Sequence, residues 1–264
     1  MDILKKDLAP LTHNAWEEIN DEAVSIFTSL LSARKFIDIN GPKGIGYAAV
    51  PLGQLDVTDD MEKDGIKFGI HKVMPLIELR VPFTLNIWEM DNLERGAKDI
   101  DLDNLEEAAH KLIKFEEEAI YQGFDKAFIK GLMNDSAHEP IKYPENADTL
   151  PKVISQALTV LNDASVEGPY SLIVSNEKWQ QISSVHKGYP MKKQLESLLG
   201  GFIIRSNYID NALIVSERGE DFEMTLGQDI SIGYEQHNTK EVQLYFTESF
   251  TFRVLDDKAV LVFK

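Results

Sequence analysis

The sequence predicts an α+β protein, and three observations carry that reading. Residues near 12–33 and 103–123 repeat apolar side chains every three or four positions, as amphipathic helices do. Residues 77–87 alternate apolar and polar without a break, the period of a half-buried strand. Residues 132–218 interleave short helical and strand signals and read as a separate α/β lobe.

Taken in order, Thr12 is placed to cap the first helix. Trp16, Ile19, Ala23, Ile26, Leu30 and Ala33 share one of its faces, while Glu17, Glu18, Asp21 and Glu22 fall elsewhere. Gly41, Pro42, Gly44 and Gly46 mark a turn-rich connection. From Gly46 to about Asp91 the pattern is strand. Ile66, Phe68 and Ile70 alternate with Lys67, Gly69 and His71; Ile77, Leu79, Val81, Phe83, Leu85 and Ile87 oppose Glu78, Arg80, Pro82, Thr84, Asn86 and Trp88. Pro82 has no N–H to give to a ladder, so its strand is expected at an edge or a bulge. The acidic stretch holding Asp59, Asp60, Glu62 and Asp64 reads as a solvated tip, and the whole segment as a projecting two-stranded arm.

A long helix follows, with Asp103 as its expected cap, Glu106 three positions on, and Gly123 as its stop. Leu105, Ala109, Leu112, Ala119 and Ile120 mark its inner side. Between Trp88 and Phe128 twelve acidic residues outnumber five basic ones, so most of that charge is expected in solvent. In the lobe, Pro151 opens a helix ending near Asp163, Gly168-Pro169 turns, and Tyr170 to Val174 is an apolar strand. Helices Asn176 to Ser184 and Met191 to Leu199 and strands Phe202 to Arg205 and Ala212 to Val215 complete it. Near the carboxyl end Val242, Leu244, Phe246, Phe250, Phe252 and Val254 keep one phase across Glu248.

Composition narrows the function. The chain has 264 residues, 44 acidic and 27 basic side chains, a formal net charge of -17 and no cysteine. Thiolate nucleophiles, zinc fingers, iron–sulfur ligation and disulfides are thereby excluded. Backbone recognition of DNA or RNA needs clustered Lys and Arg to displace counterions, so nucleic acid is not an expected partner. No apolar run approaches the ~18 residues that span a bilayer, and Met1 to Leu11 lacks the apolar core of a secretory signal, so the expected location is the cytoplasm. Glu107 and His110 have Glu-x-x-His spacing, but a di-iron centre needs two such pairs; an exposed helix face is the simpler reading, and no metal site is expected. There is no Gly-x-Ser-x-Gly elbow, and Gly41, Gly44 and Gly46 fit no phosphate-binding loop, so no catalytic residues are nominated. Trp88 and Arg80, read as sharing the polar face of one strand, could stack on a planar anionic ligand; packing against another lobe or subunit is the alternative for Trp88.

A set of ordered segments carries a resemblance. It comprises Leu8-Ala9-Pro10-Leu11-Thr12, Arg34-Lys35-Phe36 with Gly41-Pro42, Pro75-Leu76-Ile77-Glu78-Leu79-Arg80 and Trp88-Glu89-Met90-Asp91-Asn92-Leu93-Glu94-Arg95-Gly96. Glu167-Gly168-Pro169-Tyr170, Val215-Ser216-Glu217-Arg218-Gly219 and Leu226-Gly227-Gln228-Asp229-Ile230-Ser231-Ile232-Gly233-Tyr234-Glu235 complete it. Together they resemble type 1 encapsulin shell proteins, also labelled linocin-type bacteriocins, over essentially the whole chain.

The resemblance implies a tailed-phage major-capsid-like fold. A discontinuous peripheral domain would take residues 1–46, 92–131 and 219–264, an extended arm 47–91, and an axial domain 132–218. It implies a non-enzymatic shell subunit of an icosahedral nanocompartment, in the smallest class of about 60 copies. The shell would enclose a ferritin-like iron-storage protein or a dye-decolourising peroxidase for iron storage or oxidative-stress defence, docked by a short terminal peptide of the cargo. For that docking it points to Phe27, Arg34, Asp38, Ile230 and Tyr234, with core packing as the alternative for Phe27 and Ile230. For a five-fold pore it points to His186, Lys187, Gly188 and Tyr189, with iron the expected permeant ion. No cofactor is required; a flavin, FMN or riboflavin, at Trp88 and Arg80 would make a shell that assists iron redox chemistry. A prophage capsid protein is the other reading, whereas a secreted bacteriocin or an enzyme has no supporting motif.

Overall fold

The computed structural model describes residues 3–57, 62–183, 185–186 and 189–264. The helices are α1 (His13–Leu30), α2 (Ile87–Glu94), α3 (Asp103–Tyr121), α4 (Leu150–Asp163), α5 (Asn176–Ser183) and α6 (Met191–Leu199). The strands are β1 (Asp38–Asn40), β2 (Ala49–Asp56), β3 (Glu62–Lys63), β4 (Ile66–Lys67), β5 (Ile70–Pro75), β6 (Ile77–Asn86) and β7 (Tyr170–Val174). They continue with β8 (Val185–His186), β9 (Tyr189–Pro190), β10 (Gly200–Arg205), β11 (Ala212–Ser216), β12 (Phe222–His237), β13 (Glu241–Val254) and β14 (Val260–Phe263).

Thr12 caps α1 as expected, its Oγ1 accepting from the Ala15 N–H at 3.1 Å. The fully buried stripe is Ala15, Ile19, Ala23 and Phe27, one residue every fourth position. It is rotated from the predicted face: Trp16, Ile26 and Leu30 are only partly buried, and Ala33 lies past the helix end in a 3-10 turn. Small side chains at 15 and 23 suit a helix packed directly on α3 and α2.

One four-stranded sheet has the order β1-β12-β13-β6. β6 is its edge, as Pro82 requires, with Pro82 opposite Tyr245. Read in sequence as a continuation of the arm, β6 in fact pairs with β13 from Ile77 opposite Phe250 to Asn86 opposite Glu241. The strand also stops earlier than its alternation implies. The Asn86 side chain accepts from the Trp88 and Glu89 N–H groups at 2.9 and 3.4 Å, which caps α2 and turns Ile87 and Trp88 into helix.

α3 begins at Asp103, but Asp103 is not its cap: Asp101 Oδ1 accepts from the Asp103 N–H at 3.0 Å, and the expected capping box does not form. The predicted inner residues are all buried. Gly123 follows the helix with φ of 95°, where a Cβ would lie 2.3 Å from the Lys130 carbonyl oxygen.

The second sheet has the order β10-β7-β11-β14, with β7, β11 and β14 wholly buried. β14 comes from the carboxyl end, which the resemblance places in the peripheral domain with the rest of 219–264; here it pairs in the sheet of the lobe, with Ala212 opposite Phe263. The two sheets correspond to two cores. One joins α1, α3, β6 and the outer halves of β12 and β13; the other joins the lobe to the ends of those strands through Phe222, Phe250 and Phe252.

The arm is β2 paired with β5, from Ala49 opposite Pro75 to Asp56 opposite Ile70, plus the small β3–β4 pair. Asp59 and Asp60 of the expected tip lie outside the described residues, as does Ser184 after α5. Leu55, Val57, Ile66, Phe68, Ile70 and Val73 are each at least 45% exposed, so the arm has almost no core of its own.

Candidate functional site

A groove of about 480 Å³ runs between α1 and β12. Its apolar floor includes Ala23, Phe27, Leu31, Ile232 and Phe246, and its sides carry Val24, Ile230, Lys6, Arg34, Lys35 and Asp229. The floor is rigid for a physical reason. Phe27 meets Phe246 edge-on at 5.2 Å between ring centroids, and Phe83 backs Phe246 at 4.9 Å.

Beside the floor lies a cluster of buried charge. Arg34 Nε and Nη2 donate to the two oxygens of Glu116 at 2.8 Å each, Nη1 donates to Asp229 at 2.8 Å, and Nη2 also donates to Glu248. Four of the five N–H donors of a guanidinium are thereby used. Arg34 is therefore a positioning residue that fixes the groove wall. The Glu116 and Glu248 side chains have no exposed surface, while that of Asp229 is 49% exposed.

Burial acts to lower the Arg34 pKa, but hydrogen bonds and charge from Glu116, Glu248 and Asp229 outweigh it and raise it. Burial, reinforced by the Glu116 charge, pushes the Glu248 carboxyl well above the usual range against the pull of Arg34. Two carboxyl groups meeting at one Nη2 do not both ionise readily, which favours the protonated form of Glu248. The adjoining Glu117 faces the opposite way. It accepts from Ser32, from the Ala33 N–H at 2.9 Å and from Ser206 at 3.4 Å, and burial pushes its carboxyl up to about 7 against those hydrogen bonds. Glu117 so ties α3 to the turn after α1 and to the lobe.

Of the predicted docking residues, Phe27, Arg34 and Ile230 meet at the groove. Asp38 does not: it is exposed on β1 and its Oδ2 accepts from the Glu220 N–H at 2.6 Å. Tyr234 lies outside the lining as well, its hydroxyl hydrogen-bonded to His237 Nδ1 at 2.7 Å. Sequence reading missed Glu116, Asp229 and Glu248, although phase could have found two of them. Glu248 falls on the apolar face of β13, and Glu116 falls in line with Leu112 and Ala119.

Arg80 and Trp88 are not partners. The Arg80 guanidinium lies over the Tyr245 ring, 4.3 Å from its centroid, while Trp88 stands in the first turn of α2, 69% exposed. The Trp88 ring fits as an open stacking surface; Arg80 does not fit as its ionic companion. Glu107 and His110 are exposed on α3, with Glu107 near Lys111 at 3.9 Å. Of the expected pore residues, His186 and Tyr189 belong to the paired strands β8 and β9, and Lys187 and Gly188 lie outside the described residues. Among the described residues no helix is long and apolar enough to cross a membrane.

The Linocin_M18 family model, described as encapsulating protein for peroxidase, matches residues 1–251. A type 1 encapsulin shell protein of Rhodococcus erythropolis is 40% identical over 259 residues, 98% of each chain. The chain belongs to the type 1 encapsulin shell family. A second encapsulin shell protein, from Mycobacterium tuberculosis, is 40% identical over 96% of this chain and 95% of its own.

The encapsulin fold is also visible in solved structures. The virus-like particle from Pyrococcus furiosus superposes with a TM-score of 0.70 at 17% identity, covering 94% of this chain and 99% of that one. The capsid of Myoviridae phage XM1 gives 0.55 at 14%, covering 89% and 92%. The α+β fold is that of phage major capsid proteins. As an encapsulin subunit the chain is a structural component of an icosahedral nanocompartment shell, not an enzyme.

Proposed function

We propose that this shell encloses a cargo enzyme and holds it by a short peptide of the cargo laid in the groove between α1 and β12. The observation that carries the reading is the groove itself: a preformed apolar floor with charged sides, of a size that suits a few aliphatic side chains. Phe27 and Ile230 supply apolar contact, and Arg34 keeps its place as the strut of the wall. The description of the family as encapsulating protein for peroxidase favours a peroxidase cargo, and a ferritin-like protein is the other class the resemblance implies. We assign the shell to the smallest icosahedral class, about 60 copies, since the chain carries no large insertion. By the same resemblance the compartment is cytoplasmic, a pore lies at His186, Lys187, Gly188 and Tyr189, and the division into peripheral domain, arm and axial domain holds with two changes: β6 joins the sheet of β12 and β13, and β14 joins the sheet of the lobe.

The test is cargo loading. Val24 is 62% exposed and lines the groove, so Val24→Glu should assemble into empty shells, with Phe27→Glu as the stronger but more disruptive companion. Normal cargo content in Val24→Glu shells would refute groove docking.

The exposed Trp88 ring supports a second function, stacking of a flavin on the shell. Shells purified with ample flavin should then be yellow and become colourless in Trp88→Ala; a colourless wild type would count against it.

A further inference from the structure

On the far side of the last turn of α1 lies a second cleft, of about 460 Å³. Ser29, Leu30 and Lys35 form one wall, and Trp179, Ile203, Ile204, Arg205 and Asn207 form the other. Lys35 lines both this cleft and the groove, so the two open on either side of one side chain at the end of the helix.

The charge of the cleft is unusual for this molecule. In a chain with 44 acidic and 27 basic side chains, its described lining holds two cations, Lys35 and Arg205, and no acid. Neighbouring cations are already satisfied: Lys178 pairs with Glu177 at 3.0 Å and Lys192 with Glu196 at 3.6 Å. Lys35 reaches only the Ser29 carbonyl, at 3.3 Å, and Arg205 has no ion-pair partner among the described residues. Arg205 ends β10 and is exposed beside the half-buried Trp179, where its planar fork is free to take a carboxylate through two N–H groups. Asn207 adds a neutral donor, whereas the Ser29 hydroxyl already donates to the Ile26 carbonyl at 2.9 Å. Such a site favours an anion and repels a cation.

We propose that the cleft receives an acidic stretch of the cargo tail, continuous with the peptide in the groove. The tail passes Lys35, rounds the end of α1 and sets carboxylates against Lys35 and Arg205. The idea rests on groove docking and adds to it the chemistry of the flanking residues: aliphatic anchors over Phe27 and Ile230, acids toward Arg205.

The experiment uses assembled shells and the terminal peptide of the protein recovered inside them, labelled for fluorescence anisotropy. Two versions carry either three glutamates or three glutamines beside the anchor. The glutamate version should bind roughly threefold to tenfold tighter at low salt, the gain shrinking as salt is added. Arg205→Ala should remove most of that gain without changing binding of the glutamine version, and Arg205→Glu should reverse the preference. Equal affinity of the two versions in wild-type shells would overturn the proposal while leaving groove docking intact. Failure of both to bind would overturn groove docking itself. Loss of assembly in Arg205→Glu would place the cleft against a neighbouring subunit and overturn the proposal by another route.

Discussion

The arm and the groove invert each other. In the arm, apolar side chains from Leu55 to Val73 stand at least 45% exposed on a two-stranded ribbon, while beside the groove Glu116 and Glu248 have no exposed surface. Exposed apolar strands favour covering by another chain, and buried carboxyl groups require partners within their own. Most of these partners lie inside one subunit, since Arg34 bonds Glu116, Asp229 and one oxygen of Glu248, while Glu248 Oε2 is buried without a hydrogen-bond partner. Val50 and Met74 at the base of the arm are buried in the larger core, but the apolar side chains farther along it, such as Leu55, Ile66 and Val73, are largely uncovered. We propose that in a shell subunit this contrast separates two tasks: the groove is formed before assembly, and the arm is completed by it.

The largest expected effect lies on the arm. Phe68→Asp with Ile70→Asp should abolish particles while leaving soluble subunits with native helical circular dichroism, because both side chains lie outside the two cores. Particles of normal size from that variant would break the contrast.

Next comes the cluster. Arg34→Ala leaves Glu116 and Glu248 buried without a cation and should cost about 3 to 5 kcal/mol in denaturant unfolding. Glu248→Gln keeps the shape, removes the need for a proton and should be far milder. Equal losses in the two variants would contradict a protonated Glu248.

Glu117 sharpens the same comparison through pH. Its carboxyl sits at about 7 in the fold against an ordinary value of 4.5. Below 4.5 it is protonated in folded and unfolded chains alike, and its contribution is fully present. As pH rises from there to about 7, the unfolded chain releases the proton first, so stability falls, by roughly 3 kcal/mol, and then levels off. Unfolding midpoints of Glu117→Gln should lose that part of the slope. The smallest effect is expected at Trp88: Trp88→Ala should move the unfolding midpoint hardly at all, since the ring is 69% exposed.

Most of the framework is legible in local pattern. Thr12, Pro151 and the in-phase residues of β6 and β13 mark their elements because a cap, a fixed φ and a period of two act over a few residues. Errors occur where a side chain competes with the pattern. Asn86 ends β6 by capping α2 and so separates Trp88 from Arg80. The groove could not be read from spacing alone, since it joins Phe27 to Ile230 and Arg34 to Glu248 across most of the chain. Family resemblance brought Phe27, Arg34 and Ile230 together, but it also suggested Asp38 and Tyr234, whose side chains point to other partners. Glu248 was hidden by its type, because a carboxylate on an apolar face reads as an interruption until its cation is seen.

Hydrogen–deuterium exchange on assembled shells and on gently dissociated subunits tests the division most directly. Backbone amides of the arm, residues 49–57 and 62–75, should exchange at least about tenfold faster after dissociation, while those of α3, β12 and β13 keep their protection. Equal protection of the arm in both states would contradict the account, because the ribbon would then be stable without a neighbour.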